Sequence, residues 1–191
     1  MIRHGETEWS RDHRHTGRTD LPLTARGQRE ARVLGERLQP TRFAHVLTSP
    51  LWRAEETCVL AGLGGSARLD ENLREWDCGK YEGLTLVEIH ARRPGWNLFR
   101  DGCPGGESPA QVGARADALI ATLHGLRGLV ALVSHGHFLC VLAARWIGLT
   151  ASEGARFRLD TAAFGILDVE HQSAAEPSIA GWNLRGQAPS H

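Results

Sequence analysis

The sequence contains no long hydrophobic run. Its longest uninterrupted apolar segment, residues 138–144, is far shorter than the roughly 20 residues that a membrane-spanning helix needs. A signal peptide is not expected either, because Arg3 and His4 stand where such a peptide has its apolar region. We therefore expect a protein without a membrane-bound part.

Cysteines are few and widely spaced. The four thiols are those of Cys58, Cys78, Cys103 and Cys140, and they form no C-x-x-C pair and no zinc-type spacing. This pattern is typical of reduced thiols in a protein of the cytoplasm. We expect a cytoplasmic protein that needs no metal and no other cofactor.

An excess of either charge is also missing. The 22 basic residues balance the 22 acidic ones, so nothing indicates a nucleic-acid surface or an acidic partner. We see no repeat or linker. The 191 residues fit one domain, 1–191, with a sizeable core and a polar tail after about Gln172. Histidines, by contrast, are many for this length, at ten.

The chain begins with a very short predicted strand at residues 1–2, followed by a polar loop at residues 10–20. Thr24 is expected to cap a helix that continues to about Leu38, because the apolar residues in between recur on one helical face. The first strand is thus unusually abrupt if it lies at the centre of a sheet.

A short buried strand is predicted at residues 45–48. Ser49 is expected to cap the next helix, with Pro50 at its first position. This places Arg53 in the first turn of that helix, close to the carboxyl end of the strand. In an open α/β sheet, ligands collect at that edge.

The second half of the chain continues the alternation. We predict a short strand at residues 67–69, an irregular loop at 74–83, helices at 84–93 and about 108–126, and a turn at 103–107. Residues 129–133 are typical of a strand covered on both faces. A buried helix at 138–147, a strand at 164–169 and an edge strand at 179–182 follow. The pattern predicts a three-layer α/β/α fold with a mostly parallel central sheet.

Histidines and arginines stand at the ends of several predicted strands. If His4, Arg53 and His135 follow neighbouring parallel strands, they converge with Arg3 on one pocket that carries guanidinium and imidazole groups. Such a pocket attracts a dianion. Phosphate is favoured over a carboxylate, because guanidinium groups match phosphate oxygens in bidentate fashion.

A nucleophile and an acid complete the predicted chemistry. His4 is the better nucleophile, since a neutral imidazole can attack when its other nitrogen is held by a backbone carbonyl. Glu75 is the best-placed acid, and we expect Trp76 beside it to desolvate its carboxyl and raise its pKa. Asp77 and Glu82 remain alternatives. With Glu75 as the acid, the pH optimum should be acidic to neutral.

Plainer interpretations exist for several of these residues. Arg53 can pair with Glu55 or Glu56 on its own helix. His135 and His137 suggest a metal pair, but they lack a carboxylate or cysteine at ligand spacing, so a structural role for His137 is simpler. The partners further along the chain favour the catalytic interpretation.

Taken together, these motifs resemble the histidine phosphatase superfamily, in its phosphoglycerate-mutase-like branch. The matching segments are Arg3-His4-Gly5-Glu6-Thr7, Thr48-Ser49-Pro50-Leu51-Trp52-Arg53-Ala54, Glu75 with Gly79 and Glu82-Gly83, Gly106-Glu107-Ser108 and Ser134-His135-Gly136-His137. They occur in the family's order and extend from residue 2 to about 170.

The resemblance implies a role for each matching residue. His4 would become phosphohistidine, and Glu75 would act first as proton donor and then as the base for water. The residues that would bind the phosphoryl group are Arg3, Arg53 and His135. Ser10, Thr16 and Gly17 fall in the family's substrate-facing loop, with Ser10 where many members have asparagine.

Within this family the chain is more similar to phosphatases than to mutases. Only 23 residues separate Gly83 from Glu107, whereas the mutases carry a longer insertion that helps to exclude water. Several loops resemble bacterial acid phosphatases and sedoheptulose-bisphosphatase-like members. The expected substrate is a small phosphorylated metabolite. A phosphoglycerate mutase and a catalytically silent phosphate binder stay as alternatives, and an exposed sheet edge can support a homodimer.

Overall fold

A six-stranded sheet forms the centre of the computed structural model, which describes residues 1–39, 41–170 and 176–185. The strands are β1 (Ile2–Arg3), β2 (His45–Thr48), β3 (Ala67–Leu69), β4 (Val130–Ser134), β5 (Phe164–Val169) and β6 (Pro177–Leu184). Their order is β3-β2-β4-β1-β5-β6. The first four are parallel, and β5 runs antiparallel to β1 and β6. The predicted mostly parallel α/β fold is confirmed.

Helices cover both faces of this sheet. They are α1 (Glu8–Arg11), α2 (Ala25–Leu38), α3 (Trp52–Leu60), α4 (Leu86–Arg92), α5 (Leu98–Asp101), α6 (Pro109–His124) and α7 (Gly136–Trp146). Short 3-10 turns lie at Gly64–Ser66, Glu71–Leu73, Gly79–Tyr81 and Ala151–Arg156. Thr24 caps α2 as predicted, accepting a hydrogen bond from the Gly27 amide.

Strand β4 separates two hydrophobic clusters. Leu132 belongs to the cluster that contains the inward faces of α6 and α7, whereas Ala131 and Val133 belong to the cluster against α2 and α3. Side chains of a strand alternate between its two faces, so this division follows directly from the apolar run. The prediction that this strand is covered on both faces is correct from Val130 onward, since Leu129 precedes the strand and is exposed.

The register of the parallel strands aligns their carboxyl ends. Arg3 lies opposite Ser134, and Thr48 lies opposite Val133. The residues that follow these strands therefore emerge at one edge of the sheet. This is how a chain whose motifs are more than a hundred residues apart assembles one site.

Two local predictions are wrong. Helix α3 begins at Trp52 and has no side-chain cap, so Ser49 does not cap it and Pro50 is not its first residue. Instead, the Ser49 hydroxyl accepts hydrogen bonds from the Leu51 amide and a histidine ring. The predicted loop, residues 10–20, also overlaps the end of a helical turn, α1, which starts where Thr7 and Ser10 form a reciprocal capping box.

Other boundaries differ by one or two residues, as is usual at helix ends. Of the tail predicted after about Gln172, residues 176–185 are described and include the whole of β6, which contains the predicted edge strand. Residues 171–175 and 186–191 lie outside the described part. No helix in the described ranges is long and apolar enough to cross a membrane. All four cysteines are buried and free, as expected.

Helix α2 approaches the segment after β1 very closely. A Cβ atom on Gly27 would overlap the Glu6 carbonyl, and one on Gly5 would overlap the Gly27 carbonyl. Both contacts involve backbone atoms, which cannot move aside as a flexible side chain can. These glycines therefore set the distance between α2 and the loop that carries His4.

We expect Gly27→Ala to destabilise the fold by about 1–3 kcal/mol, because overpacking of a close contact forces backbone shifts. Urea denaturation of the variant and the wild type measures this difference. Gly65→Ala is the control, since nothing lies within 4 Å of the added methyl group. An equal effect of both substitutions would contradict the role of the close approach.

Candidate active site

The residues predicted at the strand ends do converge. The rings of His4 and His135 lie with their centroids 5.2 Å apart, and the Arg53 Nε donates a hydrogen bond of 3.1 Å to the His135 Nδ1. His4, Arg53 and His135 are all buried. Burial of this many potential positive charges is costly, so the surrounding acceptors decide which groups stay charged.

The ring of His4 is held in one tautomer. Its Nδ1 lies 2.7 Å from the carbonyl oxygen of Gly5, a distance at which Nδ1 carries the proton and donates it. Burial, followed by the charges of Arg53 and Arg3, holds the pKa of His4 well below its usual value. The ring is therefore neutral, with the lone pair on Nε2.

The guanidinium of Arg53 joins three parts of the site. Besides its contact with His135, it donates hydrogen bonds of 2.9 Å to the carbonyl oxygens of Gly17 and Thr19. Its backbone carbonyl accepts a hydrogen bond from Thr57, whose hydroxyl accepts one from the Gly5 amide. The alternative that Arg53 pairs with Glu55 or Glu56 is not what the structure shows, because Glu56 instead binds the Leu23 amide and Gln28.

Both ring nitrogens of His135 are engaged. Nδ1 accepts from Arg53, so Nε2 carries the proton and donates to the Ser49 hydroxyl at 2.8 Å. Burial, followed by the Arg53 charge, holds the pKa of His135 well below its usual value. The Ser49 hydroxyl thus orients the His135 ring, and it does not cap a helix.

Arg3 lies close enough to His4 for its charge to lower the pKa of that ring. Its Nη1 donates to the carbonyl oxygen of Leu159 at 2.6 Å. Its Nε is buried and has no hydrogen-bond partner among the described residues. A buried donor of this kind is available to an anion. A side chain on Gly136 would crowd this guanidinium, since its Cβ would lie 3.2 Å from the Arg3 Cζ.

The three predicted loop residues have different surroundings. The Ser10 hydroxyl is bound within the α1 capping box, and the Thr16 hydroxyl donates to the Arg14 carbonyl. Gly17 contributes its carbonyl to Arg53 and its amide to Glu82 at 2.9 Å. Gly17 therefore positions Arg53, while the hydroxyls of Ser10 and Thr16 are satisfied by local backbone groups.

Glu75 lies at the N-terminal end of α7, with 7% of its surface exposed. Its Oε1 accepts from the amides of Trp76 and Phe138, each at 2.8 Å, and its Oε2 accepts from the His137 amide at 3.1 Å. Amides at the start of a helix favour a carboxylate. The predicted acid is thus held beside the anion pocket by backbone donors.

The expected direction of the Glu75 pKa shift is wrong. Burial, the largest single effect, would raise the pKa, but the neighbouring His137, His135 and the Trp76 amide together hold the pKa of Glu75 well below its usual value. Trp76 contributes an amide donor, and its ring nitrogen donates to the Glu107 carbonyl instead. For the pKa of Glu75, the effect of hydrogen bonding and nearby groups is therefore larger than the effect of desolvation.

The alternative acids are occupied elsewhere. Glu82 accepts from the amides of both Gly17 and Thr19, each at 2.9 Å, and so shapes the loop whose carbonyls hold Arg53. Asp77 accepts from the Gly79 amide and pairs with Arg18 at 2.8 Å. Of the three carboxylates, Glu75 is the one held by the amides at the start of α7, directly after His135.

One supporting pair was missed from the sequence. Arg115 donates to the Glu107 carboxylate and to the backbone carbonyls of Asn72 and Arg74, which fixes the segment before Glu75. It also lies over the Phe138 ring, 4.6 Å from its centroid. A signal existed, because Arg115 stands on the inward apolar face of α6, three residues after Val112. A charged residue on such a face indicates a buried partner.

Next to Arg3 lies a basic groove of about 530 Å³. It is lined by Arg3, Glu6, Ser10, Arg11, His13, Arg26, Arg158, Leu159, Asp160, Thr161 and Arg185. Arg158 and Arg185 share Asp160 as their carboxylate, whereas Arg11 pairs with Asp12 and Arg26 pairs with Glu6 and Glu30. A cavity of about 550 Å³ at the other edge of the sheet is lined mainly by apolar residues and contains none of the site residues.

His135 and His137 do not face one metal site. His135 points to Arg53 and Ser49, whereas His137 lies 3.6 Å from Glu75 and stacks on His15. In the described ranges, no group of three or more His, Cys, Asp or Glu side chains is arranged to hold a metal ion.

The buried neutral histidines make stability depend on pH. Unfolded His4 and His135 bind protons below about pH 6.5, whereas the folded residues resist protonation, so unfolding takes up protons and stability falls as the pH drops. Glu75, whose folded pKa is depressed, stabilises above its unfolded pKa of about 4.3 and loses this effect below it.

We therefore expect the free energy of unfolding to fall between about pH 6.5 and 5, by up to about 1.4 kcal/mol per pH unit for each histidine. Urea denaturation at several pH values measures the slope. His4→Asn removes one of the two groups and should make the slope shallower. Identical slopes for variant and wild type would contradict this account.

Glu82→Ala should weaken the binding of inorganic phosphate by at least about tenfold, which corresponds to about 1.4 kcal/mol. The reason is that the amides of Gly17 and Thr19 lose their acceptor, so the carbonyls that orient Arg53 are no longer fixed. Titration calorimetry measures the affinity. Glu71→Ala is the control, since that carboxylate is exposed and pairs with Arg74; a loss of the same size there would refute the loop's role.

Comparison with known proteins gives relatives that cover most of the chain. An acid phosphatase of Mycobacterium tuberculosis is 42% identical over 175 residues, which is 90% of this chain and 86% of the relative. A sedoheptulose 1,7-bisphosphatase of Saccharomyces cerevisiae is 38% identical and covers 78% of this chain and 67% of the relative. A phosphoglycerate-mutase-type protein of Salmonella choleraesuis is 34% identical, and the match covers 95% of this chain and 88% of the relative.

Solved structures and a family model agree with these relatives. The structure of an open reading frame product from Mycobacterium tuberculosis superposes with a TM-score of 0.90 at 40% identity, covering 96% of this chain and 95% of that one. The structure of an alpha-ribazole phosphatase from Shigella flexneri superposes with a TM-score of 0.86 at 28% identity, and the match covers 100% of this chain and 98% of that one. The model of the histidine phosphatase superfamily, branch 1, matches residues 1–184. Since both the strand-end site and these matches extend over nearly the whole sequence, the chain belongs to branch 1 of the histidine phosphatase superfamily.

Proposed function

We propose that this protein hydrolyses phosphate monoesters of small metabolites through a phosphohistidine intermediate, without a metal ion. The observation that carries the proposal is the tautomer of His4. Its Nδ1 is bound to the Gly5 carbonyl, so the lone pair lies on Nε2, in a buried ring on which the charges of Arg53 and Arg3 act. A phosphatase is also the activity named for the relatives from Mycobacterium tuberculosis and Saccharomyces cerevisiae.

In the first half-reaction, the substrate's phosphoryl group lies between the two guanidiniums, which balance the charge on its oxygens. The His4 Nε2 forms a bond to phosphorus as the bond to the leaving oxygen breaks. The Gly5 carbonyl stabilises the positive charge that develops on the ring. Glu75 supplies the proton that the leaving alkoxide takes up.

In the second half-reaction, Glu75 has become a carboxylate and acts as the base. It takes a proton from a water molecule, whose oxygen attacks phosphorus while the bond to the His4 Nε2 breaks. Inorganic phosphate is released, and the neutral imidazole returns. Overall, the alcohol gains the proton that the water molecule loses.

The likeness to a bisphosphatase and the basic groove beside Arg3 support a substrate with a second anionic group. The groove holds more guanidinium groups than carboxylates, and charge of this kind attracts and orients an anion. We therefore place bisphosphorylated sugars ahead of neutral phosphate esters among the small metabolites.

Phosphoglycerate mutase activity is a second candidate, favoured by the mutase-type relative. It requires that the phosphoryl group return to a substrate hydroxyl and that water be kept out. The segment between Gly83 and Glu107 is short for this purpose, with 23 residues. Hydrolysis is therefore the better-supported outcome.

The test is release of inorganic phosphate in the presence of EDTA. The substrates are an aryl phosphate, 3-phosphoglycerate, and the bisphosphates of sedoheptulose and fructose. We expect the wild type to release phosphate, fastest from a bisphosphate and at acidic to neutral pH, and His4→Ala to lose at least about a thousandfold in rate, because no covalent intermediate forms. Acid quenching should trap a phosphorylated protein only when His4 is present.

The control variant is His124→Ala, since this histidine is exposed at the end of α6 and outside the pocket. Full activity of His4→Ala would refute the nucleophile. Transfer between the hydroxyls of 3-phosphoglycerate without phosphate release would favour the mutase. An optimum above about pH 8 would count against Glu75 as the acid.

A further inference from the structure

The surroundings of Glu75 favour its carboxylate form, whereas a proton donor has to be in the carboxylic acid form. The amides of Trp76, His137 and Phe138 already donate to its two oxygens. These donors favour the charged form, and none of them can give up its proton. An acid that is held as a carboxylate has to receive a proton before each leaving group departs, so a neighbouring donor is needed.

His137 is the neighbour that fits. Its Nδ1 lies 3.6 Å from the Glu75 Oε2 and is buried, with no hydrogen-bond partner in the described part of the chain. The side chain as a whole is 38% exposed. One ring nitrogen therefore faces the carboxylate, while another part of the side chain is exposed to solvent. This is the arrangement needed to move a proton between the two.

The ring of His137 is also held in place. It stacks on the His15 ring with the centroids 5.9 Å apart and the planes 10° from parallel, and the edge of Phe99 lies 5.8 Å away. The His15 Nδ1 is bound to the Leu84 carbonyl at 3.1 Å. Burial, followed by the charge of His137, lowers the pKa of His15. The titratable groups that face His137 are thus a neutral ring on one side and Glu75 on the other.

We propose that His137 supplies and recovers the proton of Glu75, a role that rests on the proposed phosphatase function. In its imidazolium form, His137 breaks its Nδ1–H bond as the proton moves to the Glu75 Oε2, which leaves a neutral ring. Glu75 then passes the proton to the leaving alkoxide. In the second half-reaction Glu75 takes a proton from water and returns it to Nδ1. His137 acts through Glu75 and is a positioning residue for this proton.

This role makes a prediction that a structural role does not. The leaving group of 4-nitrophenyl phosphate departs with little need for protonation, whereas an alkyl phosphate loses its alkoxide slowly unless a proton is transferred to the leaving oxygen. Loss of His137 should therefore slow alkyl esters far more than aryl esters. A distorted pocket would slow both in proportion.

The experiment compares kcat/KM for glycerol 2-phosphate and 4-nitrophenyl phosphate in the wild type, His137→Phe and His137→Ala. Phe keeps a ring against His15 and Phe99 but has no nitrogen. We expect the ratio of aryl to alkyl activity to rise at least about tenfold in both variants, within the range of general acid catalysis. His124→Phe is the matched control and should leave the ratio unchanged.

Chemical rescue provides a second readout. Because the His137 side chain reaches solvent, added imidazole can enter the space left by His137→Ala and should restore the alkyl ester activity with little effect on the aryl ester. Equal losses on both esters, or no rescue, overturn the relay and leave the phosphohistidine proposal standing. A wild type that hydrolyses neither ester overturns the proposed function and the relay with it.

Discussion

The fully buried guanidinium of Arg53 is the constraint on which the rest of the site depends. Burial of a charge without partners costs several kcal/mol, so this group requires acceptors all around it. It finds them in the carbonyls of Gly17 and Thr19 and in the ring of His135. The two carbonyls belong to the loop after α1, and the ring follows strand β4. Their hydrogen bonds to Arg53 fix the orientation of the loop and the tautomer of His135.

The acid side of the site obeys the same rule with the opposite sign. Glu75 is a buried carboxylate, stabilised by amides at the start of α7 and by the positive charges of Arg3 and Arg53. Burial lowers the pKa of both arginines, and the negative charge of Glu75 in turn opposes this effect. The two halves of the site therefore stabilise each other electrostatically. The cost is that the acid is held in its charged form, and this cost is the basis of the proposal that His137 supplies its proton.

Several features could be predicted because they depend on local pattern. The apolar run of β4, the inward face of α2 and the cap at Thr24 follow from spacing alone, and so does the placement of Arg53 near a strand end. The errors arose where a distant residue competes for a local group. Ser49 would be a good helix cap, but its hydroxyl is bound to His135, which is 86 residues away in the sequence. The direction of the Glu75 pKa shift likewise depends on distant groups, since the His137 and Phe138 amides that bind its carboxylate are more than 60 residues away in the sequence.

The sequence by itself determined which chemical groups are available and at which ends of which elements they lie, because hydrophobic periodicity places strand ends and the residues after them. For His4 it set only a requirement, a backbone carbonyl that binds the second ring nitrogen, and the structure identified the Gly5 carbonyl as that acceptor. Only the tertiary structure decided the protonation of Glu75, the use of Ser49 and the contact between Glu75 and His137. These depend on distances between segments far apart in the chain, and burial and hydrogen bonding shift a pKa in opposite directions until those distances are known.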